Sequence, residues 1–392
     1  MKTVYLDYAA ATPLDTAVLK AMQPYLTERF ANPSSLHTLG RQQQQALEAA
    51  RKQVARALGA KPTEIIFTSG STEAANLAVQ GVAIAHPHRR LVATTVEHES
   101  VLGAVAEREL LGSPAGRITI GDTGVVDPAA VAAAIDDLTV LVCVQYANNE
   151  IGTIQPLAKI AAELAVIRSD RAARGVTTPL YLYCDAAQAG LLNLQVARLG
   201  VDLMSMGGSK LYGPAGSGFL YVRTGVQLQP LAAGGGQESG LRSGTENLPA
   251  AVGLAAALER IQAGRQTEAQ RQKSLRDSLW KELSRNIDGV ELNGTMTPRL
   301  PGNLNIRLAG IDGETLVAYL DKEGFAVATG SACTAAHQDP SHVLTAIGLS
   351  IPEAESSLRI TLGKKTTKAE TQRFAKELVN QVAHLRTMAK RP

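Results

Sequence analysis

What most constrains this chain is the alternation of short apolar runs with amphipathic stretches through most of its length. Arg41–Leu58 reads as a helix, with Leu47, Ala50, Val54 and Leu58 on one face and Gly59 to end it. Glu64–Thr68 reads as a strand, followed by Ser69-Gly70-Ser71-Thr72 and an Ala/Leu-rich helix from about Glu73. Strand Leu91–Thr95, a helix from about Glu99, strand Arg117–Ile120 and a helix opened by Asp127-Pro128 continue the pattern. Strand Thr139–Tyr146, a helix after Pro156, strand Leu180–Cys184 and strands at Val201–Ser205 and Gly218–Val222 complete it. Parallel neighbours need long crossover connections, so this alternation implies an α/β fold with a mainly parallel sheet under helices. Ligands of such sheets bind beyond the carboxyl ends of the strands.

From Asn247 to Ile287 the pattern is almost wholly helical. Strands then follow near Asn303–Leu308, Phe325–Thr329 and Leu358–Leu362, with helices at Glu314–Asp321 and Thr367–Leu385. This predicts a smaller α+β C-terminal domain beyond a boundary near residue 260. The extended lead-in around Leu6–Pro13 can pack on either unit and is assigned to the second. The expected division is therefore 14–260 against 1–13 with 261–392.

A chain of 392 residues, 45% hydrophobic and 19% charged, can bury two substantial cores. Its 39 basic and 36 acidic residues include no long basic run, which gives no case for a nucleic-acid partner. No apolar run approaches the ~18 residues that span a membrane, and the N-terminus lacks a signal-peptide core. The expected location is the cytoplasm. Three widely spaced cysteines offer neither a disulfide framework nor a metal site. Cys143 and Cys184 lie in apolar runs and read as small buried hydrophobes. Cys333 differs: it stands in the small-residue stretch Ala328–Ala336, between a strand and a helix, where a thiol can be exposed and reactive.

The polar clusters gather at strand ends. Lys210 sits in Met206-Gly207-Gly208-Ser209-Lys210-Leu211-Tyr212-Gly213, a tight turn between two apolar strands. A lysine held there can lose solvation and act as a free amine toward an aldehyde. Ser71 and Thr72 stand where a strand gives way to a helix, a place for a phosphate or for ordinary N-capping. Neither nucleotide-binding glycine loop is present. Asp185 ends an apolar strand, where a carboxylate is costly unless it meets a cation or caps the next loop. His98 in Glu97-His98-Glu99-Ser100 could stack on a ring and move protons, or simply cap a helix. Asn148-Asn149-Glu150 is a polar trio after another apolar strand, and Gln188 follows Asp185 closely. A lysine, an acid for a ring nitrogen, donors for a phenolic oxygen and a phosphate cradle are together what pyridoxal 5'-phosphate requires.

On these residues the chain resembles the class V aminotransferase superfamily of pyridoxal-phosphate fold type I, and within it the NifS/IscS-type cysteine desulfurases. The resemblance runs through Tyr5-Leu6-Asp7-Tyr8-Ala9-Ala10-Ala11-Thr12-Pro13, Asn32-Pro33-Ser34-Ser35 and Thr68-Ser69-Gly70-Ser71-Thr72-Glu73. It continues through Asn148-Asn149-Glu150-Ile151-Gly152, Asp185-Ala186-Ala187-Gln188 and Arg242-Ser243-Gly244-Thr245-Glu246-Asn247. It ends with Gly330-Ser331-Ala332-Cys333 and Leu358-Arg359-Ile360-Thr361-Leu362-Gly363.

The resemblance implies a large domain built on a seven-stranded, mainly parallel sheet, a smaller α+β domain carrying the cysteine, and a homodimer. It implies that Lys210 binds the cofactor covalently and shuttles the substrate's protons. Asp185 would pair with the pyridinium nitrogen, Gln188 with the phenolic oxygen, and Asn149 with that oxygen and the substrate carboxylate. His98 would stack on the ring and assist proton transfer. Ser71 and Thr72 would hold the phosphate, joined by Thr245 of the neighbouring subunit, and Arg359 would grip the carboxylate of L-cysteine. Cys333 would take the sulfur as a persulfide, leave L-alanine, and pass the sulfur to an acceptor protein such as an iron–sulfur scaffold or a sulfurtransferase serving tRNA thiolation.

Two positions depart from the family pattern: Ser209 stands where it usually has His before the lysine, and Gly207 where a Ser is common. Both family residues contact the phosphate. The IscS-type members also carry a longer tail beyond the last helix that helps to dock the scaffold, which leaves the acceptor open. Selenocysteine lyase and class V transaminase are the neighbouring chemistries. A non-catalytic partner-binding subunit is the alternative of another kind, and the pairing of Lys210 with Asp185 argues against it.

Overall fold

The computed structural model describes residues 3–330 and 340–389. After the short strand β1 (Val4–Tyr5), helices α1 (Thr16–Thr27) and α2 (Thr38–Leu58) lead into the sheet. There follow β2 (Ile65–Thr68), α3 (Ser71–Ala85), β3 (Arg90–Thr94), α4 (Glu99–Leu110), β4 (Ala115–Ile118), α5 (Pro128–Ala133) and β5 (Thr139–Cys143). Next come α6 (Leu157–Ala173), β6 (Tyr181–Asp185), α7 (Val196–Leu199), β7 (Leu203–Gly207) and β8 (Gly218–Val222). These form a seven-stranded sheet of order β2-β8-β7-β6-β5-β3-β4. Only β8 runs against its neighbours β2 and β7; the other pairings are parallel.

The helix periodicity holds where packing supplies the reason. In α2, Leu47, Ala50, Val54 and Leu58 are buried, and Gly59 closes the helix at a φ of 65° in the left-handed region that glycine tolerates best. The inner strands β5, β7 and β8 are buried on both faces, which is why they read as continuous apolar runs.

Helix α8 (Leu248–Asn286) is a single element of 39 residues. Its first turns, with Leu254, Leu258 and Ile261, join the apolar core beneath the large sheet, while Leu279 and Leu283 join a second core. That second core lies under the antiparallel sheet β12-β10-β9, made of β9 (Val290–Leu292), β10 (Asn303–Leu308) and β12 (Ser357–Thr361). Helices α9 (Gly313–Lys322) and α12 (Lys368–Ala389) cover it, and β11 (Phe325–Ala326) follows α9. Two short helices, α10 (His342–Ala346) and α11 (Ile351–Glu355), precede β12.

Several boundaries differ from the sequence reading. The strand expected at Arg117–Ile120 is Ala115–Ile118, because pairing with β3 sets its register from Leu91↔Ala115 to Thr94↔Ile118. The strand expected at Phe325–Thr329 shortens to two residues, since its mate β1 is equally short and Ala328 meets Arg359 in an isolated bridge. Helix α1, capped by Asp15 accepting from Ala17 N, had no clear signal beforehand.

The lead-in touches both halves. β1 pairs with β11, and Asp7 bridges Thr361. Further on, Thr12 Oγ1 donates to Ser209 O at 2.9 Å and accepts from Tyr212 N at 2.7 Å, gripping the lysine turn of the large sheet.

Candidate active site

The carboxyl ends of β3, β5, β6 and β7 and the N-terminus of α3 open onto one pocket. Ser71, His98, Gln145, Asn149, Asp185, Gln188, Lys210 and Arg359 line it, with Ala9 and Ala10 of the lead-in.

Lys210 ends a turn of 3-10 helix, Gly208–Lys210, directly after β7. Gly208 is required there: a Cβ would lie 2.6 Å from Pro214 O. The Lys210 ammonium donates to Ala10 O, so the lead-in aims the side chain across the pocket.

Asp185 is the last residue of β6 and is 7% exposed. Its Oδ1 accepts from Ala187 N at 2.9 Å. Burial raises its pKa, opposed by the nearby His98 and Lys210. A cation entering the pocket beside it would favour its charged form. His98 caps α4, its Nδ1 accepting from Ser100 N at 3.1 Å. Gln188 Nε2 donates to Ala9 O at 3.0 Å.

Ser71 begins α3, whose first-turn N–H groups have no acceptor within the helix. Gly207 lies against this end: a Cβ there would sit 3.2 Å from Ser71 N and 3.3 Å from Ser71 Oγ. Glu73, also in the first turn, turns away, accepting from Ser69 N at 2.6 Å and from Arg242 Nε at 3.0 Å.

Arg359, from β12 of the other sheet, enters from the opposite side and is 2% exposed. Its Nη2 donates to Asp7 Oδ1 at 2.8 Å and its Nη1 to Asn149 O at 3.3 Å, while Nε is buried with no hydrogen-bond acceptor among the described residues. The head group is therefore held at both Nη atoms, with its Nε donor unmet among the described residues.

Three expected residues are not part of this lining. Thr72 is exposed, Ser209 is half-buried with its carbonyl held by Thr12, and Thr245 is exposed after Gly244. Cys333 lies outside the described residues. Cys143 and Cys184 are fully buried, as their apolar runs predict, and burial pushes both thiols well above their ordinary pKa.

Residues not singled out for the site also stand here. Gln145 lines the pocket and Asp7 holds Arg359. Glu97 is wholly buried behind the wall: its Oε1 accepts from Thr94 Oγ1 at 2.5 Å and from Gln145 N at 2.8 Å. Glu150 is 1% exposed. The one signal for the two glutamates was their position inside polar clusters at strand ends. Among the described residues, no group of acidic, His and Cys side chains is arranged for a metal, and no helix is long and apolar enough to cross a membrane.

A large, mainly parallel sheet with a lysine, an aspartate and a helix N-terminus at its carboxyl edge, faced by an arginine from a second sheet, defines an α/β enzyme of the NifS-like type. The family model for class V aminotransferases matches residues 4–374. A cysteine desulfurase IscS of Dictyoglomus turgidum is 41% identical over 99% of this chain and 96% of its own length. An IscS 1 of Archaeoglobus fulgidus is 39% identical over 98% of each. Among solved structures, a NifS-like protein superposes with a TM-score of 0.88 at 32% identity, covering 97% of this chain and 100% of its own. The structure of SspA in complex with cysteine gives 0.79 at 34% identity, over 92% and 99%. The chain belongs to the class V aminotransferase family, in its cysteine desulfurase branch.

Proposed function

We propose that the protein is a pyridoxal-phosphate-dependent L-cysteine desulfurase that makes L-alanine and a persulfide on Cys333, for delivery to an acceptor protein such as an iron–sulfur scaffold. The carrying observation is the convergence of Lys210, the buried Asp185 and Arg359 on one pocket. The donor set suits the cofactor. Asp185 favours a neighbouring cation, as a protonated ring nitrogen would be, and the α3 N-terminus with Ser71 suits a phosphate. Lys210 supplies the amine for the aldehyde, and Gln188 and Asn149 supply donors for the phenolic oxygen. When bound, the cofactor supplies an electron sink that labilises the bonds at the substrate's Cα.

The chain's own groups do the rest. Arg359 Nε offers a buried donor to the substrate carboxylate, with Asn149 alongside. Lys210 Nζ and His98 Nε2 are the groups that move protons. The substrate's C–S bond breaks as its sulfur joins the Cys333 sulfur, and protons taken up at carbon leave L-alanine. Cysteine plus one protein thiol thus gives alanine plus one protein persulfide, with no outside oxidant.

Thr72 and Ser209 flank the phosphate cradle in this reading, and Thr245 belongs to the site of a second copy in a homodimer. The exposure of Phe30 at 70% and Leu36 at 89%, with Leu26 and Leu39 also exposed, supports such an interface. The division into 14–260 against 1–13 with 261–392 is supported by the two apolar cores that α8 joins. The reading is of a cytoplasmic enzyme.

The test is Cys333→Ala. The holoenzyme should still change its visible spectrum on addition of L-cysteine, yet release almost no alanine. Mass spectrometry of wild type after cysteine should find one added sulfur on Cys333, while Cys143→Ala and Cys184→Ala keep turnover. Near-normal alanine production by Cys333→Ala overturns the desulfurase reading.

A further inference from the structure

Glu150 has no assigned task, yet it is the buried acid on which three segments meet. It follows Asn149 at the mouth of β5 and is 1% exposed. Its Oε2 accepts from Ser341 Oγ at 2.5 Å, and its Oε1 is buried with no donor among the described residues. A Cβ on Gly330 would lie 3.4 Å from the same Oε2. The chain therefore leaves for the Cys333 stretch at Gly330 and returns through Ser341 with both described ends beside one carboxyl group. The backbone carbonyl of Glu150 is itself pinned, accepting from Asn303 Nδ2 at 3.0 Å and Asn305 Nδ2 at 3.2 Å of β10.

The seat continues into α10. Ser341 caps that helix by accepting from Leu344 N at 3.2 Å. His342 Nε2 lies 3.0 Å from the carbonyl oxygen of Glu97, the residue before His98. Val343 and Leu344 share an apolar cluster with Val96 and Ile151. Helix α10 is thus fixed to residues adjoining His98 on one side and Asn149 on the other, and Asn149 O receives Arg359. Docking alone would be served by the apolar cluster; a buried acid with one side-chain donor among the described residues is an expensive addition unless it fixes a position.

We propose that Glu150 is a positioning residue for sulfur transfer, holding the described ends of the Cys333 segment at a fixed place relative to the substrate-binding wall. This rests on the desulfurase reading. The role is separate from cofactor and substrate binding, since Glu150 is absent from the pocket lining that holds Lys210, Asp185 and Arg359.

The experiment compares holoenzymes of wild type, Glu150→Ala, Glu150→Gln, Ser341→Ala and the double alanine variant. Alanine production is followed beside the cysteine-induced change in the cofactor's visible spectrum. Displacing a reacting group by about 1 Å can cost about 100-fold, so Glu150→Ala and Ser341→Ala should each lower kcat at least about 10-fold. The spectral change should keep its wild-type dependence on cysteine concentration. Glu150→Gln retains an acceptor oxygen for Ser341 and should recover to within about 3-fold of wild type. The double variant should be no worse than either single one, the mark of one shared contact. A spectral change lost in parallel with kcat, or unaltered kcat in Glu150→Ala, overturns the inference. A wild type that makes no alanine from cysteine overturns the function itself, and does so before any substitution is made.

Discussion

Replacing Glu97 by Gln should remove a pH dependence from the protein's stability. The carboxyl is fully buried, and its Oε2 has no donor among the described residues. Burial, reinforced by the Asp185 charge and only partly offset by Thr94 and the Gln145 N–H, pushes its pKa from 4.5 up to about 8. The folded protein then binds this proton more tightly than the unfolded chain. The resulting stabilisation is complete below the unfolded pKa and is lost as pH rises through the folded one. One proton is worth at most about 1.4 kcal/mol per pH unit, so from about pH 5 to about pH 8 wild type should lose roughly 3–4 kcal/mol through this group. Gln can accept from Thr94 and Gln145 as the acid does and has no proton to release. The assay is thermal unfolding of both holoenzymes across that range, read as the difference between their midpoints so that other titrating groups cancel. The variant should gain several degrees relative to wild type on going to the higher pH. Parallel midpoints would refute the reasoning, because Glu97 would then be titrating alike in folded and unfolded chains.

Three further outcomes are expected. Lys210→Ala should no longer be labelled when the bound cofactor is trapped by borohydride, and peptide mapping of wild type should find the label on Lys210 alone; label on another lysine refutes its role. Ser209→His should retain the cofactor on dialysis at least as well as wild type, since each added charge-assisted hydrogen bond can contribute roughly 1.5–3 kcal/mol; clearly weaker retention means that the cradle beside Gly207 has compensated in another way. Mixing Lys210→Ala with Thr245→Ala protein should restore part of the activity through heterodimers with one intact site, whereas a cofactor-loaded protein that sediments as a monomer refutes the shared site.

Much of the large sheet was legible because its signal is local. Strands buried on both faces are apolar throughout, and a residue at the end of such a run is committed to the sheet's carboxyl edge. Lys210, Asp185, His98 and Asn149 could therefore be assigned to one edge before their contacts were known, and the pocket brings them together. Arg359 carried a weaker local signal, a lone arginine between Leu358 and Ile360, and was found through the family motif. The length of β11 was not legible, because a two-residue strand depends on pairing with β1, far away in the chain.

What the sequence hid is of one kind: contacts between segments far apart in the chain. Asp7 holds Arg359 across 352 positions, and Ala10 O meets Lys210 across 200. No periodicity encodes such pairs, since each residue is unremarkable in its own neighbourhood. Their effect is nonetheless specific. The lead-in adds a strand beside β11, steadies Arg359 through Asp7, and takes the lysine's hydrogen bond at Ala10. It thereby links the part of the site that would hold substrate to the part that would hold cofactor. A substitution at Asp7 should accordingly be felt first as a higher KM for L-cysteine through a loosened Arg359, not as loss of cofactor on dialysis, because among the described residues the hydrogen bonds of Asp7 run to Tyr5, Ala10 and Arg359.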